Sequence, residues 1–257
     1  AGTAAVSAAG GSDASAASVS TAQLFHTDTG VRTGKNVMLI HGWTCDSHDW
    51  SWQLPVLEKS YRVVAVDLRG HGRSQVMPNG AYAPDHYLAD VEALIETRYP
   101  GQKFILVGHS MGAQIAVRLS AKRPDLVSGV VSIDGSLGFS SDLIPVFQKT
   151  TDDLNAGDPG VVGAALFEAF YDPATPAAFK RWHARRLQGM PLQVVRESFG
   201  PLFLGPAQVG AGAASEAFCR RLSVPVYHLC RFPEQAAAMG KWFSNPKSKV
   251  EHWTRAC

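Results

Sequence analysis

Short apolar runs alternate with helical patterns along most of the chain. Six runs, each made mostly of β-branched or large apolar residues, predict strands that are buried on both faces, as is typical of a parallel sheet. The segments that contain them are Asn36–Gly42, Tyr61–Gly72, Lys103–Ser110, Val127–Ser136, Val224–Cys230 and Ser248–Trp253.

Helical patterns lie between these runs. The segment Pro84–Tyr99 starts with a proline, and its apolar residues recur at helical spacing, at Leu88, Val91, Leu94 and Ile95. A second helix is predicted from Met111 until Pro124 ends it. Alternation of strand and helix implies right-handed crossovers, so the predicted fold class is α/β with a doubly wound, mostly parallel sheet.

The alternation stops between Leu137 and about Leu222, where Phe, Pro, Gly and Ala are frequent and the helical patterns are weaker. A segment of this length is too long for a loop. It predicts a helical cap insertion at 138–222, over the edge of the sheet where α/β folds bind ligands. The remaining core comprises 22–137 and 223–257. Residues 1–21 are almost entirely Ala, Ser and Gly and predict a flexible tail.

Composition narrows the classes of function. The 257 residues fit one large domain, and 46% of them are hydrophobic. A net charge of +2 with no basic stripe argues against nucleic acid, and no apolar run is long enough to span a membrane. The four cysteines include no C-x-x-C pair and no zinc-like spacing with histidine, so we expect reduced thiols in a cytoplasmic protein and no metal site. We also expect no cofactor.

The stretch "GHSMG" at 108–112 joins a predicted strand to a predicted helix. G-x-S-x-G at such a junction is a nucleophile elbow, a tight turn that forces its serine into an unfavourable backbone conformation and needs small neighbours. Gly108 and Gly112 meet that need. Ser110 Oγ is then expected to stand clear of the sheet, where the Met111 amide and the helix dipole face any oxyanion.

Together with "LIHGW" at 39–43 and "DLRGHGRS" at 67–74, this motif resembles the α/β-hydrolase family over roughly residues 22–257. The resemblance implies that Ser110 is the nucleophile and that the N–H groups of Trp43 and Met111 form the oxyanion hole. It makes His41 a structural histidine beside the loop that carries Trp43. For His41 and His109 we favour packing and loop support over proton transfer.

The resemblance leaves the catalytic acid open between two carboxylates. Many family members carry the acid after the seventh strand, where this chain offers Glu234. Some relatives carry it after the sixth strand, where "SIDGS" places Asp134. We favour Asp134. Asp134 could instead be a capping residue at the junction of strand and loop. Asp67 also lies at a strand end, but its setting resembles that of a carboxylate that holds a turn.

The resemblance places the catalytic histidine in a loop beyond the last strand. Here that strand is followed by "TRAC", so the base is expected just beyond Cys257. His252 is the nearest histidine, although a strand side chain is its simpler interpretation, and His228 on the preceding strand is a weaker candidate. A chain without the final helix is expected to be less stable than the family norm, or to form a homo-oligomer that covers the exposed sheet face.

Three functions follow from these features. The first is a serine hydrolase for a small ester, lactone or related acyl substrate, because a serine at the elbow argues against dehalogenase or epoxide-hydrolase chemistry. The second is a cofactor-free ring-cleaving dioxygenase on the same fold, although Met111 departs from that group. The third is a non-catalytic binding protein without its base. Candidate residues for an acyl pocket are Phe147, Phe167, Phe170, Tyr171, Trp182 and Phe203.

Overall fold

A single seven-stranded sheet organises the computed structural model, which describes residues 20–253. The strand order is β1-β3-β2-β4-β5-β6-β7. Strand β1 is antiparallel to β3, and the other neighbouring pairs are parallel. The strands are β1 (His26–Gly30), β2 (Lys35–Ile40), β3 (Tyr61–Val66), β4 (Phe104–His109), β5 (Val127–Ile133), β6 (Val226–Cys230) and β7 (Lys249–His252).

The structure confirms the predicted fold class. Each of the six predicted apolar runs coincides with a strand, and β2, β3, β4 and β5 end before the glycines and polar residues with which their runs close. The centres of β2 and β3 are fully buried because helices cover both faces of the sheet.

The sequence pattern missed β1, whose residues are "HTDTG". An edge strand has one neighbour and is only partly covered, so it needs no continuous apolar run. Its register sets Asp28 opposite Val64 on β3, and an ion pair to Arg62 with an N–O distance of 2.7 Å holds it there.

Helices flank the sheet and fill the long crossover between β5 and β6. They are α1 (Leu54–Leu57), α2 (Pro84–Arg98), α3 (Met111–Lys122), α4 (Ile144–Ala156), α5 (Pro159–Glu168), α6 (Ala177–Gln188), α7 (Leu192–Phe199), α8 (Gly212–Arg220) and α9 (Pro233–Met239). On α2 the apolar face predicted from the sequence is buried, as its spacing requires. In residues 20–253 no helix combines the length and the apolar character needed to cross a membrane.

Five of these helices, α4 to α8, lie within the range predicted for the cap insertion, 138–222. The helices α4 to α7 contribute side chains to the cavity above the carboxyl ends of the strands. The last helix, α8, lies elsewhere, because its Phe218 shares a surface depression with Leu88 of α2 and Arg118 of α3. We call the segment from 138 to 211 the cap.

A buried ion pair fixes the start of the described chain. Arg69 donates through Nε and Nη2 to the two carboxylate oxygens of Asp90, both at 2.6 Å, and neither side chain is exposed. The same guanidinium donates to the carbonyl of Ser20, and the Ala22 amide donates to Asp90. The backbone of Ser20, in the predicted tail, is therefore joined to the core by a hydrogen bond, and residues 1–19 lie outside the described residues.

We expect Asp90→Ala to lower the free energy of unfolding by roughly 3–5 kcal/mol, because it leaves the Arg69 charge buried and unpaired. Urea denaturation measures this loss. The matched control is Asp85→Ala on the same helix. The side chain of Asp85 is 69% exposed, and its ion pair with Arg118 should contribute less than about 1 kcal/mol to the free energy of unfolding. Equal losses in the two variants would contradict the interpretation of the buried pair.

Candidate active site

Ser110 lies at the corner between β4 and α3, with φ = 50° and ψ = −115°. Its amide donates to Ile133 O at 3.0 Å, and its carbonyl accepts from the amides of Ala113 and Ser136, both at 3.1 Å. The backbone on both sides of the corner is therefore fixed by hydrogen bonds. A positive φ at a non-glycine residue costs free energy, and its presence marks this corner as a candidate functional site.

Two glycines allow the corner to be this tight. A Cβ on Gly112 would lie 2.3 Å from Ile40 O and 2.4 Å from His41 O. A Cβ on Gly108 would lie 2.5 Å from the amide nitrogen of Ala113. Both contacts are with backbone atoms, which cannot rotate away. The first turn of α3 therefore packs directly on the end of β2.

The loop after β2 runs beside Ser110. A Cβ on Gly42 would lie 3.2 Å from Ser110 Cβ, so the Gly42–Trp43 backbone passes next to the serine. His41 is buried and supports this loop: its Nε2 accepts from the Leu68 amide at 2.9 Å, which leaves Nδ1 to donate to Gly42 O at 2.8 Å. These contacts agree with a structural role for His41.

The two N–H groups of the predicted oxyanion hole are open. Among residues 20–253, no acceptor takes a hydrogen bond from the amide of Trp43 or of Met111. The Met111 amide is in the first turn of α3, where helical N–H groups have no partner within the helix and the dipole favours negative charge. The arrangement can stabilise an anion beside Ser110.

The structure separates the two candidate acids. Asp134 follows β5 with φ = 44°, lines the same cavity as Ser110 and is 11% exposed. Its Oδ2 accepts from Nε and Nη2 of Arg231, at 3.0 and 2.5 Å. Glu234 lies in the first turn of α9 with an exposed side chain and does not contribute to the cavity wall.

Arg231 was not singled out by the sequence analysis. Its guanidinium pairs with Asp134 and lies 5.3 Å from the ring centroid of Phe170 in the cap. Arg231 directly follows β6, and this position alone would have predicted that it lies at the carboxyl edge of the sheet. The contact with Asp134 joins residues 97 positions apart.

Neither His228 nor His252, the two histidines considered as bases from the sequence, is hydrogen-bonded to Ser110 Oγ. His228 is buried in β6, where its Nδ1 lies 2.8 Å from Ser132 Oγ, and burial lowers its pKa to about 4. His252 is an exposed residue of β7. Within residues 20–253 the hydrogen-bond partner of Ser110 Oγ is Ser136 Oγ, at 3.4 Å, and no histidine bonds to it.

Two further histidines line the cavity with Ser110, His109 at the end of β4 and His183 on α6. Burial lowers the pKa of both imidazoles, so both are neutral at neutral pH. His183 was not among the predicted site residues, because nothing in the local pattern of α6 indicates which of its side chains lines the cavity.

An aromatic wall encloses the cavity, which has a volume of about 450 Å³. The rings of Phe147 and Phe203 stack with centroids 3.9 Å apart, and Trp43 packs on Phe167 and Phe199. Five of the six candidate pocket residues line it: Phe147, Phe167, Phe170, Tyr171 and Phe203. Trp182 instead lines a separate depression with Arg181 and Arg185.

An ion pair ties the cap to the core beside this cavity. Arg186 of α6 donates through Nη1 to both carboxylate oxygens of Asp49, at 2.8 and 2.7 Å, and Nη2 lies 3.4 Å from Cys45 Sγ. The Arg186 side chain is 8% exposed, and burial raises the pKa of the Cys45 thiol. Cys45, Cys219 and Cys230 are buried free thiols, and Cys257 lies outside the described residues.

No group of three or more His, Cys, Asp or Glu side chains between residues 20 and 253 is arranged to hold a metal ion. The groups that the described residues bring to the cavity are a hydroxyl, two open amides, a carboxylate paired with a guanidinium, and neutral imidazoles.

Comparison with known proteins shows which family this chain resembles. Residues 35–197 match the family model described as the alpha/beta hydrolase fold. A 2-(acetamidomethylene)succinate hydrolase of Mesorhizobium japonicum is 30% identical over 202 residues, which are 76% of this chain and 66% of that protein. The matched part of this chain spans 31%, 66% and 35% of the lengths of the first three curated relatives.

Solved structures share the fold. An esterase from Exiguobacterium antarcticum superposes with a TM-score of 0.74 at 19% identity, over 91% of this chain and 87% of that chain. An enol-lactonase from Burkholderia xenovorans superposes with a TM-score of 0.72 at 18% identity, over 90% and 88%. At these identities the likeness concerns the fold.

We expect Gly112→Ala to lower the free energy of unfolding by about 3 kcal/mol or more, because its methyl group would overlap two backbone carbonyls. The control is Gly129→Ala in β5, where the nearest atom to an added Cβ lies 3.7 Å away. This substitution should leave the free energy of unfolding unchanged or raise it slightly. Thermal and urea unfolding of both variants measure the difference. Similar stabilities would show that helix α3 tolerates a larger distance from β2.

Proposed function

Since the chain belongs to the α/β-hydrolase fold family, we propose that it is a serine hydrolase that cleaves a small ester, lactone or related acyl substrate through an acyl-enzyme on Ser110. The observation that carries the proposal is the position of Ser110, at a positive-φ corner that lines an apolar cavity and adjoins two open amides. The esterase and enol-lactonase with the same fold support this class of substrate.

The proposed reaction has two steps. Ser110 Oγ attacks the acyl carbon, its proton passes to a general base, and the carbonyl oxygen becomes an oxyanion that accepts from the amides of Trp43 and Met111. The intermediate collapses, and the leaving alkoxide takes the proton to depart as an alcohol. A water molecule then releases the acid in the same way, which returns the proton to Ser110.

We assign the acid role to Asp134. Arg231 occupies Oδ2, and no described residue donates to Oδ1, which leaves that oxygen available to orient an imidazole. The identity of the base stays a prediction from the resemblance, which places it in the loop after the last strand. A carboxylate in this position stabilises the imidazolium that forms when the base takes the proton.

The cavity wall favours an apolar acyl or alkyl group. Phenyl rings of Phe147, Phe199 and Phe203 pack against each other, so a bound apolar group would replace water next to a rigid surface. An apolar ester of up to about ten carbon atoms is consistent with a 450 Å³ cavity.

Ser110→Ala should abolish labelling by a fluorophosphonate and lower kcat/KM for p-nitrophenyl butyrate at least about 10⁴-fold, because the attacking oxygen is gone. The matched control is Ser136→Ala, which removes the neighbouring hydroxyl and should keep labelling within a few-fold of the wild-type rate. Gel fluorescence and a spectrophotometric assay provide the measurements, on a chain long enough to include the loop after the last strand, where the base is predicted. A wild-type chain that labels no faster than Ser110→Ala would favour the non-catalytic alternative.

The assignment of the acid has its own test. Asp134→Asn should lower kcat/KM by about 10²–10⁴-fold, because the amide cannot stabilise an imidazolium as a carboxylate does. Asparagine tolerates the positive φ at this position, so the variant should fold. Glu234→Gln, on the exposed start of α9, should change kcat/KM less than about two-fold. A larger loss for Glu234→Gln than for Asp134→Asn would reverse the assignment.

A further inference from the structure

The cap contributes a pair of hydrogen-bonded polar side chains to a wall that is otherwise mainly aromatic and aliphatic. The hydroxyl of Tyr171, which follows α5, lies 2.8 Å from Nδ1 of His183 on α6. Both residues line the cavity that contains Ser110. They lie on different elements of the cap, so the contact depends on how α5 and α6 pack together.

Packing holds the imidazole in one orientation. Its ring stacks on Tyr171 with an interplanar angle of 11° and a centroid distance of 5.7 Å. The centroid of the imidazole ring also lies 5.3 Å from the centroid of the Phe167 ring. A side chain held by ring contacts and a hydrogen bond loses little further rotational freedom when a molecule binds to it.

Both members of the pair are neutral at neutral pH. Burial and the nearby Arg186 guanidinium lower the pKa of His183 below its ordinary value of 6.5. Burial raises the pKa of Tyr171, whose ordinary value is 10.0, so the phenol stays protonated. A neutral pair is suited to an uncharged ligand group, since a charged group would lose its hydration on entering an aromatic wall.

Of the N–H and O–H groups of the Tyr171–His183 pair, one has no acceptor within residues 20–253, the N–H of the His183 imidazole. A phenol is the stronger donor and an imidazole nitrogen the stronger acceptor, so we assign the Tyr171 hydroxyl as donor to Nδ1 of His183. The proton of the neutral imidazole is then on Nε2. No residue in the described range accepts from Nε2, and in this tautomer Nε2 cannot also serve as the base that takes a proton from Ser110.

We propose that the Tyr171–His183 pair determines substrate specificity by binding an uncharged oxygen acceptor, such as a ketone or ether oxygen, on an apolar substrate. This oxygen is a second polar group of the substrate, distinct from the scissile carbonyl that the amides of Trp43 and Met111 would take. The inference rests on the proposed function for its substrate class and extends it, from a simple apolar ester or lactone to one that carries a further oxygen.

A binding experiment in the Ser110→Ala background tests the pair without any reaction. The probes are 1-tetralone, a bicyclic aromatic ketone, and tetralin, which has the same rings without the oxygen. Quenching of tryptophan fluorescence, with Trp43 in the cavity wall, gives both dissociation constants. The ratio of the two constants isolates the contribution of the oxygen, and tetralin binding reports that the apolar cavity is intact.

Adding His183→Leu should reduce the preference for the ketone about 3–10-fold, the usual net effect of one hydrogen bond, while tetralin binding persists. His183→Gln keeps an N–H donor and should recover most of the preference. Tyr171→Phe frees Nδ1 and should reduce the preference about 2–3-fold. The control Arg185→Leu, on the same helix but outside the cavity wall, should leave both constants unchanged.

An unchanged ratio in His183→Leu would overturn the proposal, because the ketone would then be bound elsewhere, for example by the open amides. Failure of both probes to bind the parent Ser110→Ala variant would also overturn it. If His183→Leu loses tetralin binding as well, an unchanged ratio in Tyr171→Phe overturns it. A wild-type chain that shows this binding pattern but no fluorophosphonate labelling would refute the proposed hydrolysis and leave the specificity pair in place.

Discussion

The site depends on the direct contact between the first turn of helix α3 and the end of strand β2. At Gly112 there is no room for a single methyl group between the two backbones. A helix that starts this close to its neighbouring strand leaves the chain no gradual turn, so Ser110 takes a positive φ. The same contact brings the loop after β2 next to the serine.

Backbone strain is concentrated at the same edge of the sheet. Three non-glycine residues in the described range have positive φ: Thr44 after β2, Ser110 after β4 and Asp134 after β5. These strands are neighbours, so the three residues lie along one line of strand ends. Each such conformation costs on the order of 1–3 kcal/mol and persists because hydrogen bonds and packing around it allow no alternative. At Asp134 these include a bond from its amide to Leu229 O.

The sequence predicted the parallel strands and the elbow because both leave local signals. A strand buried on both faces must be apolar throughout, and the elbow needs glycines at fixed spacing. Strand β1 gave no such signal, because an edge strand tolerates the polar residues of "HTDTG". The pairings of Arg231 with Asp134 and of Tyr171 with His183 were not predicted for a different reason. They join residues 97 and 12 positions apart, and no local pattern shows which side chains meet.

Ser110 and the cavity wall are held by different kinds of contact. Main-chain hydrogen bonds and the glycine contact fix Ser110, and those depend little on which side chains surround them. The wall is made largely of cap side chains between Phe139 and Phe203. Exchanging one of these rings therefore changes the shape of the chamber while the serine and its amides stay where they are. A chain built this way can come to bind a different molecule through changes confined to the cap, while the backbone around Ser110 keeps its geometry.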